Sequence, residues 1–149
     1  MSELKETEIH IAIAGIKELA FQIDDTDELP DMRHIGINFE QSMNVLLQES
    51  KIEFNLSIRV FAQEESEKNL ISIKTMNSFF IKELIDFSTE TENMFNLPDI
   101  LLITILGLSI SHTRALLATR TQGTKFDAFY IPIVNPTDLA SKLFSLKNK

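Results

Sequence analysis

The sequence predicts an α+β domain, with long antiparallel strands first and helices packed on one face of their sheet. Up to residue 81 the apolar residues alternate at the two-residue period of strands. Residues 97–124 then hold a dense apolar block too long for one strand, and residues 135–144 end the chain with a cap, a proline and an apolar stripe. A length of 149 residues fits one domain, 1–149. The 44% hydrophobic and 24% charged content is that of a folded chain.

The first strand carries Ile9, Ile11 and Ile13 on one parity. Gly15 interrupts, and Leu19, Phe21 and Ile23 resume the same parity, so a bulge or bend is expected at the glycine. Residues 24–34 hold five acids and a proline and read as an exposed loop. A second strand brings Ile35, Ile37 and Phe39 inward and continues through Met43, Val45 and Leu47. Ile52, Phe54, Leu56, Ile58, Val60 and Ala62 then alternate without a miss. The charged turn 63–69 links them to Ile71, Ile73, Phe79 and Ile81, so the two runs read as a hairpin, and the first 81 residues as a meander. Phe61 and Phe80 fall on the parity opposite to the core residues.

Residues 82–96 hold a short helical turn and an acidic linker. Pro98 and Asp99 then open a helix, Gly107 and Ser111 mark a kink or a break, and Gly123 is its stop. The spacing leaves one helix or two open. From Ile100 to Thr113 no side chain is charged, apart from a protonated His112. A spanning helix needs about 20 mainly apolar residues, and Arg114 interrupts the block before that length, so membrane insertion is not expected. Residues 126–134 read as a short extended segment. Asn135, Pro136 and Asp138 start a final helix whose stripe is Leu139, Leu143 and Phe144.

The net charge is −8, and residues 1–69 carry 15 acids against 6 bases. So acidic a chain is a poor binder of phosphate backbones, and nucleic acid is not an expected partner. With no cysteine there is no disulfide, thiolate metal site or cysteine nucleophile. The polar, acidic start MSELKETEIH has no signal-like h-region, which makes the cytoplasm the expected compartment.

Catalytic constellations are missing. The four glycines are isolated, and neither a nucleophile elbow nor a zinc motif occurs. The acidic residues 24–31 lack the glycine and terminal glutamate of a calcium loop. His112 is the histidine in most interesting company, but without a second positioned group it reads as a helix hydrogen-bonding residue rather than a general base. No enzyme activity, cofactor or metal is therefore expected. Apolar surface on long strands is the feature left unexplained.

In this order, several short motifs resemble the SecB family of tetrameric chaperones. Residues 17–21 (KELAF) are similar to that family's Lys-Asp-Ile-Ser-Phe, and residues 54–61 (FNLSIRVF) to its Tyr-Glu-Val-x-Leu-x-Val-Thr strand. Residues 77–81 (NSFFI) stand where the family has Gly-Gly-Ile-Phe-x-Ile, and 97–101 (LPDIL) resemble Cys-Pro-Asn-Ile-Leu. Arg114 with Gly123 and Thr124 is similar to Ala-Arg…Arg-Gly-Thr, and residues 132–144 to the Pro-Val-Asn-Phe-Asp-Ala-Leu-Phe of the final helix.

The resemblance implies a four-stranded antiparallel sheet, one long helix for contacts between subunits, and a groove that holds unfolded polypeptide without ATP. On that basis the groove is expected between Ile35, Ile37 and Phe39 and the final-helix residues Leu139, Leu143 and Phe144. The homo-oligomer, a dimer or a dimer of dimers, is expected to use Leu101, Ile105, Leu108 and His112, with Gly107 and Ser111 allowing close approach. Export members dock on the translocase motor ATPase through acidic sheet residues and a polar tail. Glu18 matches one such position, but Ile71–Lys74 lacks the expected glutamate and the chain ends LKNK, so the resemblance gives no support to motor docking. Other relatives guard one aggregation-prone partner, such as an antitoxin. The competing expectations are a homo-oligomeric adaptor with one fixed partner, and a small hydrolase or isomerase built on His112.

Overall fold

The computed structural model describes residues 8–24, 32–63, 65–88 and 95–145. The unbroken alternation of the third strand sets the core. In β3 (Lys51–Ala62) Ile52, Phe54, Leu56, Ile58 and Val60 are buried, while the residues between them are only partly covered. Its neighbours are β2 (Ile35–Leu46) and β4 (Glu65–Ile81), and β4 also pairs with β1 (Ile11–Ile23). All pairings are antiparallel and the order is β1-β4-β3-β2. Strands β2, β3 and β4 thus form the meander, whereas β1 crosses to the far side and pairs with β4. The hairpin turn is tighter than the sequence suggested, since β4 already starts at Glu65 and takes up its slack in two register shifts near Phe61.

The parity of β1 is not constant. Register shifts at Ile13/Gly15 and Glu18/Ala20 make two bulges rather than the one expected. Between them Ile16 lies opposite Asn77 and Glu18 opposite Thr75, both core-face positions. Ile13, Ile16 and Leu19 remain 41–52% exposed, while Ile11, Phe21 and Ile23 pack against the core. On the outer face, the Phe61 ring covers Gly36, where a Cβ would lie 2.4 Å from its nearest carbon.

The helix α1 (Asp99–Arg120) is a single element that lies over β3 and β4. It starts at the predicted Pro98–Asp99 and ends before Gly123, whose φ of +77° takes the left-handed conformation available to glycine. Leu101, Ile105, Leu106, Ile110 and Leu117 fill the space against the sheet. The helix runs past Arg114, and by length and hydropathy it could cross a membrane, but 44% of its most apolar window is buried inside the domain. Residues 129–135 form no strand. They are tied down by Arg114, whose Nε donates to the Ile131 carbonyl (2.9 Å) and whose Nη2 donates to that of Pro132 (3.0 Å). The expected helical turn in 82–96 is a 3-10 turn at Leu84–Phe87. The acidic linker that follows, and all of the acidic loop but Asp24 and the turn Met32–His34, lie outside the described residues.

The last element, α2 (Pro136–Leu143), starts as predicted. Asn135 Oδ1 accepts from the N–H of Thr137 (2.9 Å) and of Asp138 (3.3 Å), and Pro136 occupies the first position, where no donor is missed. Its start packs on α1 at Gly107, where an added Cβ would meet Pro136 at 3.7 Å.

Candidate functional site

A groove of about 510 Å3 opens between the edge strand β2 and α2. Ile37 and Phe39 come from the strand, Leu139 and Leu143 from the helix, and Val134 from the segment leading into it. Asn38, Asn135, Asp138 and Lys142 supply its polar lining. The strand pattern puts Ile37 and Phe39 on the sheet face that α2 covers, and a spacing of four residues puts Leu139 and Leu143 on one side of α2. Gln41 Nε2 sits 3.5 Å from the Leu143 carbonyl, beside the helix end.

The structure therefore brings four of the six residues expected at a groove into one. Ile35, opposite Ala62 and packed against the core, lies outside its lining. Phe144 turns toward the sheet, its ring centroid 6.0 Å from that of the buried Phe54. Val134 was missed, although its place carried a signal. It precedes the cap Asn135 by one residue, and Leu139 stands at the fourth helical position, the two places of a hydrophobic staple.

The residues expected between subunits divide differently. Leu101 and Ile105 are fully buried inside the chain, Leu108 is partly covered, and Gly107 faces α2. The outer side of α1 carries the exposed Ile100, Ser111, Ala115 and Thr119 and the half-buried Thr104. The hydroxyls of Thr104, Ser111 and Thr119 donate to the carbonyls four residues back, at 2.7, 3.1 and 3.1 Å. This side can be covered without leaving those hydroxyls unpaired. The Glu18 carboxylate is held by Arg120 Nε at 3.1 Å, and the Arg120 guanidinium also lies over the Phe21 ring.

His112 belongs to a chain of donors that joins α1 to β4. Asn77 Nδ2 donates to Thr75 Oγ1 (3.1 Å) and lies 3.4 Å from the Phe54 carbonyl, so its Oδ1 is left to accept from His112 Nδ1 (2.9 Å). Thr113 donates to the Ser109 carbonyl, so the Thr75 hydroxyl donates to Thr113 Oγ1 (2.8 Å). His112 is thereby the tautomer protonated on Nδ1. Its ring stacks on Phe79, and burial pushes its pKa below the ordinary value. At the sheet's end, the His10 backbone N–H donates to the Glu83 carboxylate, which the His10 ring also contacts through Nδ1, and these bonds lower the Glu83 pKa. Among the described residues no group of three or more acids and histidines is placed to hold a metal ion.

No protein-family model matches the sequence, and no curated protein matches it. Among solved structures, the chain is similar to the Mycobacterium tuberculosis Rv1957 SecB-like chaperone, solved in complex with a ChAD peptide from the Rv1956 HigA1 antitoxin. The match has a TM-score of 0.54 at 12% identity and covers 83% of this chain and 90% of that one. At that identity the likeness is one of fold, and it agrees with the resemblance read from the motifs: the chain has the SecB-like fold.

Proposed function

We propose that this protein is a non-enzymatic, ATP-independent cytoplasmic chaperone that holds unfolded or extended polypeptide in the groove between β2 and α2. The observation that carries the reading is the groove itself, in which Ile37, Phe39, Val134, Leu139 and Leu143 give an open space an apolar lining, bordered by Asn38, Asn135, Asp138 and Lys142. At roughly 25 cal/mol per Å2 of apolar area, covering a few hundred Å2 offsets much of the cost of ordering a short segment. The fold shared with a chaperone that binds an antitoxin peptide supports the same reading. A homo-oligomer built on the uncharged side of α1 goes with it. Service to a dedicated partner is favoured over export, because Glu18 is occupied by Arg120.

The test is suppression of aggregation of reduced lysozyme, followed by light scattering, for the protein and for Phe39→Asp. The expected result is suppression by the protein and its loss in the variant at unchanged subunit assembly. Equal activity of a correctly assembled variant would overturn the placement of the site.

A fixed folded partner is the second reading. It is favoured by Tyr130 and Ile133, which are 62% and 94% exposed on the segment outside the groove. That reading predicts no binding of reduced, unfolded polypeptide.

A further inference from the structure

Both long helices pack on the buried face of the sheet, and no described helix lies on the other face. That outer face holds the strand residues between the buried ones, and the registers set them in rows across the sheet. Lys17 on β1 stands opposite Met76 on β4. Two residues from Met76, Lys74 stands opposite Ser57 on β3, and Arg59 lies two residues beyond Ser57. Lys17, Lys74 and Arg59 are thus successive diagonal neighbours on three adjacent strands, about 7–8 Å apart at each step. Lys17 and Lys74 are exposed, and among the described residues neither forms an ion pair. The Arg59 guanidinium is positioned by the Phe61 ring, 4.6 Å from its centroid, and by Asn69 Oδ1, which accepts from Nη1 at 2.8 Å. The acids that the described strands place on this face, Glu40 on β2 and Glu53 on β3, are neither opposite nor diagonal to either lysine. A chain with 22 acids and 14 bases therefore sets three cations in line with no acid between them. Like charges this close repel, a cost that carboxylates from outside the chain would relieve.

We propose that the outer face of the sheet docks an acidic segment of a partner protein, an extended stretch whose alternate aspartates or glutamates meet Lys17, Lys74 and Arg59. Alternate side chains of an extended segment are about 6.6 Å apart, close to the step of the diagonal. The surface lies across the sheet from the groove, so docking there leaves the groove open. A short segment on the diagonal senses these cations above all, because charges beyond a Debye length of about 8 Å are largely screened at physiological salt. A nucleic acid would extend past the diagonal into the field of a chain of net charge −8, which disfavours it as the occupant. The cations set the orientation and the encounter rate of such a partner.

The experiment uses a labelled, acetylated peptide that alternates glutamate with threonine, with binding read by fluorescence anisotropy at low ionic strength. The same residues with the glutamates in one block are expected to bind at least about threefold more weakly, and the glutamine analogue at least about tenfold more weakly. Lys74→Glu is expected to weaken binding of the alternating peptide at least about tenfold, and Lys74→Gln about threefold. The carboxylate of Lys74→Glu lies diagonal to Lys17 and Arg59, so its melting temperature is expected to be no lower than that of the parent protein. A merely structural lysine would not lose the peptide while keeping that stability. Suppression of lysozyme aggregation is expected to be unchanged in Lys74→Glu. Undiminished peptide binding by Lys74→Glu and Lys74→Gln, or no binding by the parent protein, would overturn docking on this face. Equal affinity for the alternating and blocked peptides would overturn the extended segment. An oligonucleotide of equal charge that binds as tightly as the peptide would overturn the acidic segment in favour of any polyanion. Loss of lysozyme suppression together with peptide binding would overturn the separation of this surface from the groove.

Discussion

His112 and Asn77 are separated by 35 positions in sequence and joined by a 2.9 Å hydrogen bond. Asn77 has no surface exposure, and each partner it satisfies loses a bond if it is truncated. Asn77→Ala is expected to destabilise the fold by about 1–3 kcal/mol, measured by urea unfolding. Burial places the His112 pKa below its ordinary 6.5, so the unfolded chain binds this proton more readily than the folded one. Stability is therefore expected to fall as pH drops from 6.5 toward the lowered folded value, and to change no further on this account below it. His112→Asn keeps a donor for Asn77 without the titration, so its melting temperature should lose this part of the pH dependence. A variant with the same profile would show that another group carries it. The sequence marked His112 as a hydrogen-bonding residue of a helix but gave no sign of its partner. Asn77 sits in a strand whose alternating pattern says which face a side chain takes and nothing of what lies across from it. Glu18 shows the same limit, since its match to an acidic docking position was visible while its neighbour Arg120 was not.

At the scale of elements, local chemistry was readable and sheet order was not. Asn135, Pro136 and Asp138 specify the start of α2 within a few residues, and the structure has them in those roles. The alternation of β3 likewise needed only its own sequence. The pairing of β1 with β4, and its second bulge, depend on strands far along the chain, so a pattern of parity alone put Ile13 and Leu19 inside when they are exposed. The groove joins a strand to a helix about a hundred positions later, and the geometry between them is set by how 129–135 is held. Arg114 does this with two carbonyl bonds. Arg114→Lys cannot reproduce that two-point grip. It is expected to weaken client binding severalfold with little change in helix content, measured by anisotropy and circular dichroism. Asn135→Ala removes the cap of the short wall helix and should cost about 1 kcal/mol of stability.

For the whole molecule, the question is what covers the outer side of α1. Ile100 is 62% exposed there, and Thr104, Ser111, Ala115 and Thr119 complete a row without charge. A helix on the surface of a monomer normally turns charged residues to water, as the opposite side of its apolar stripe. Here both sides are uncharged as far as Thr113, which explains why the sequence read as one dense block with no period to tell inside from outside. The sheet accounts for one side. The hydroxyls on the other are already bonded to their own helix backbone, so a second copy of α1 can lie against them at little desolvation cost. The small side chains at Ser111 and Ala115 permit that approach. Light scattering of the purified protein is expected to give a dimer or a tetramer. Thr104→Glu combined with Ser111→Glu would place two carboxylates in the contact while leaving the buried stripe untouched, and should yield a folded monomer. A protein that is monomeric before these changes, or an oligomer that survives them, would mean that this side of α1 is not where the copies meet.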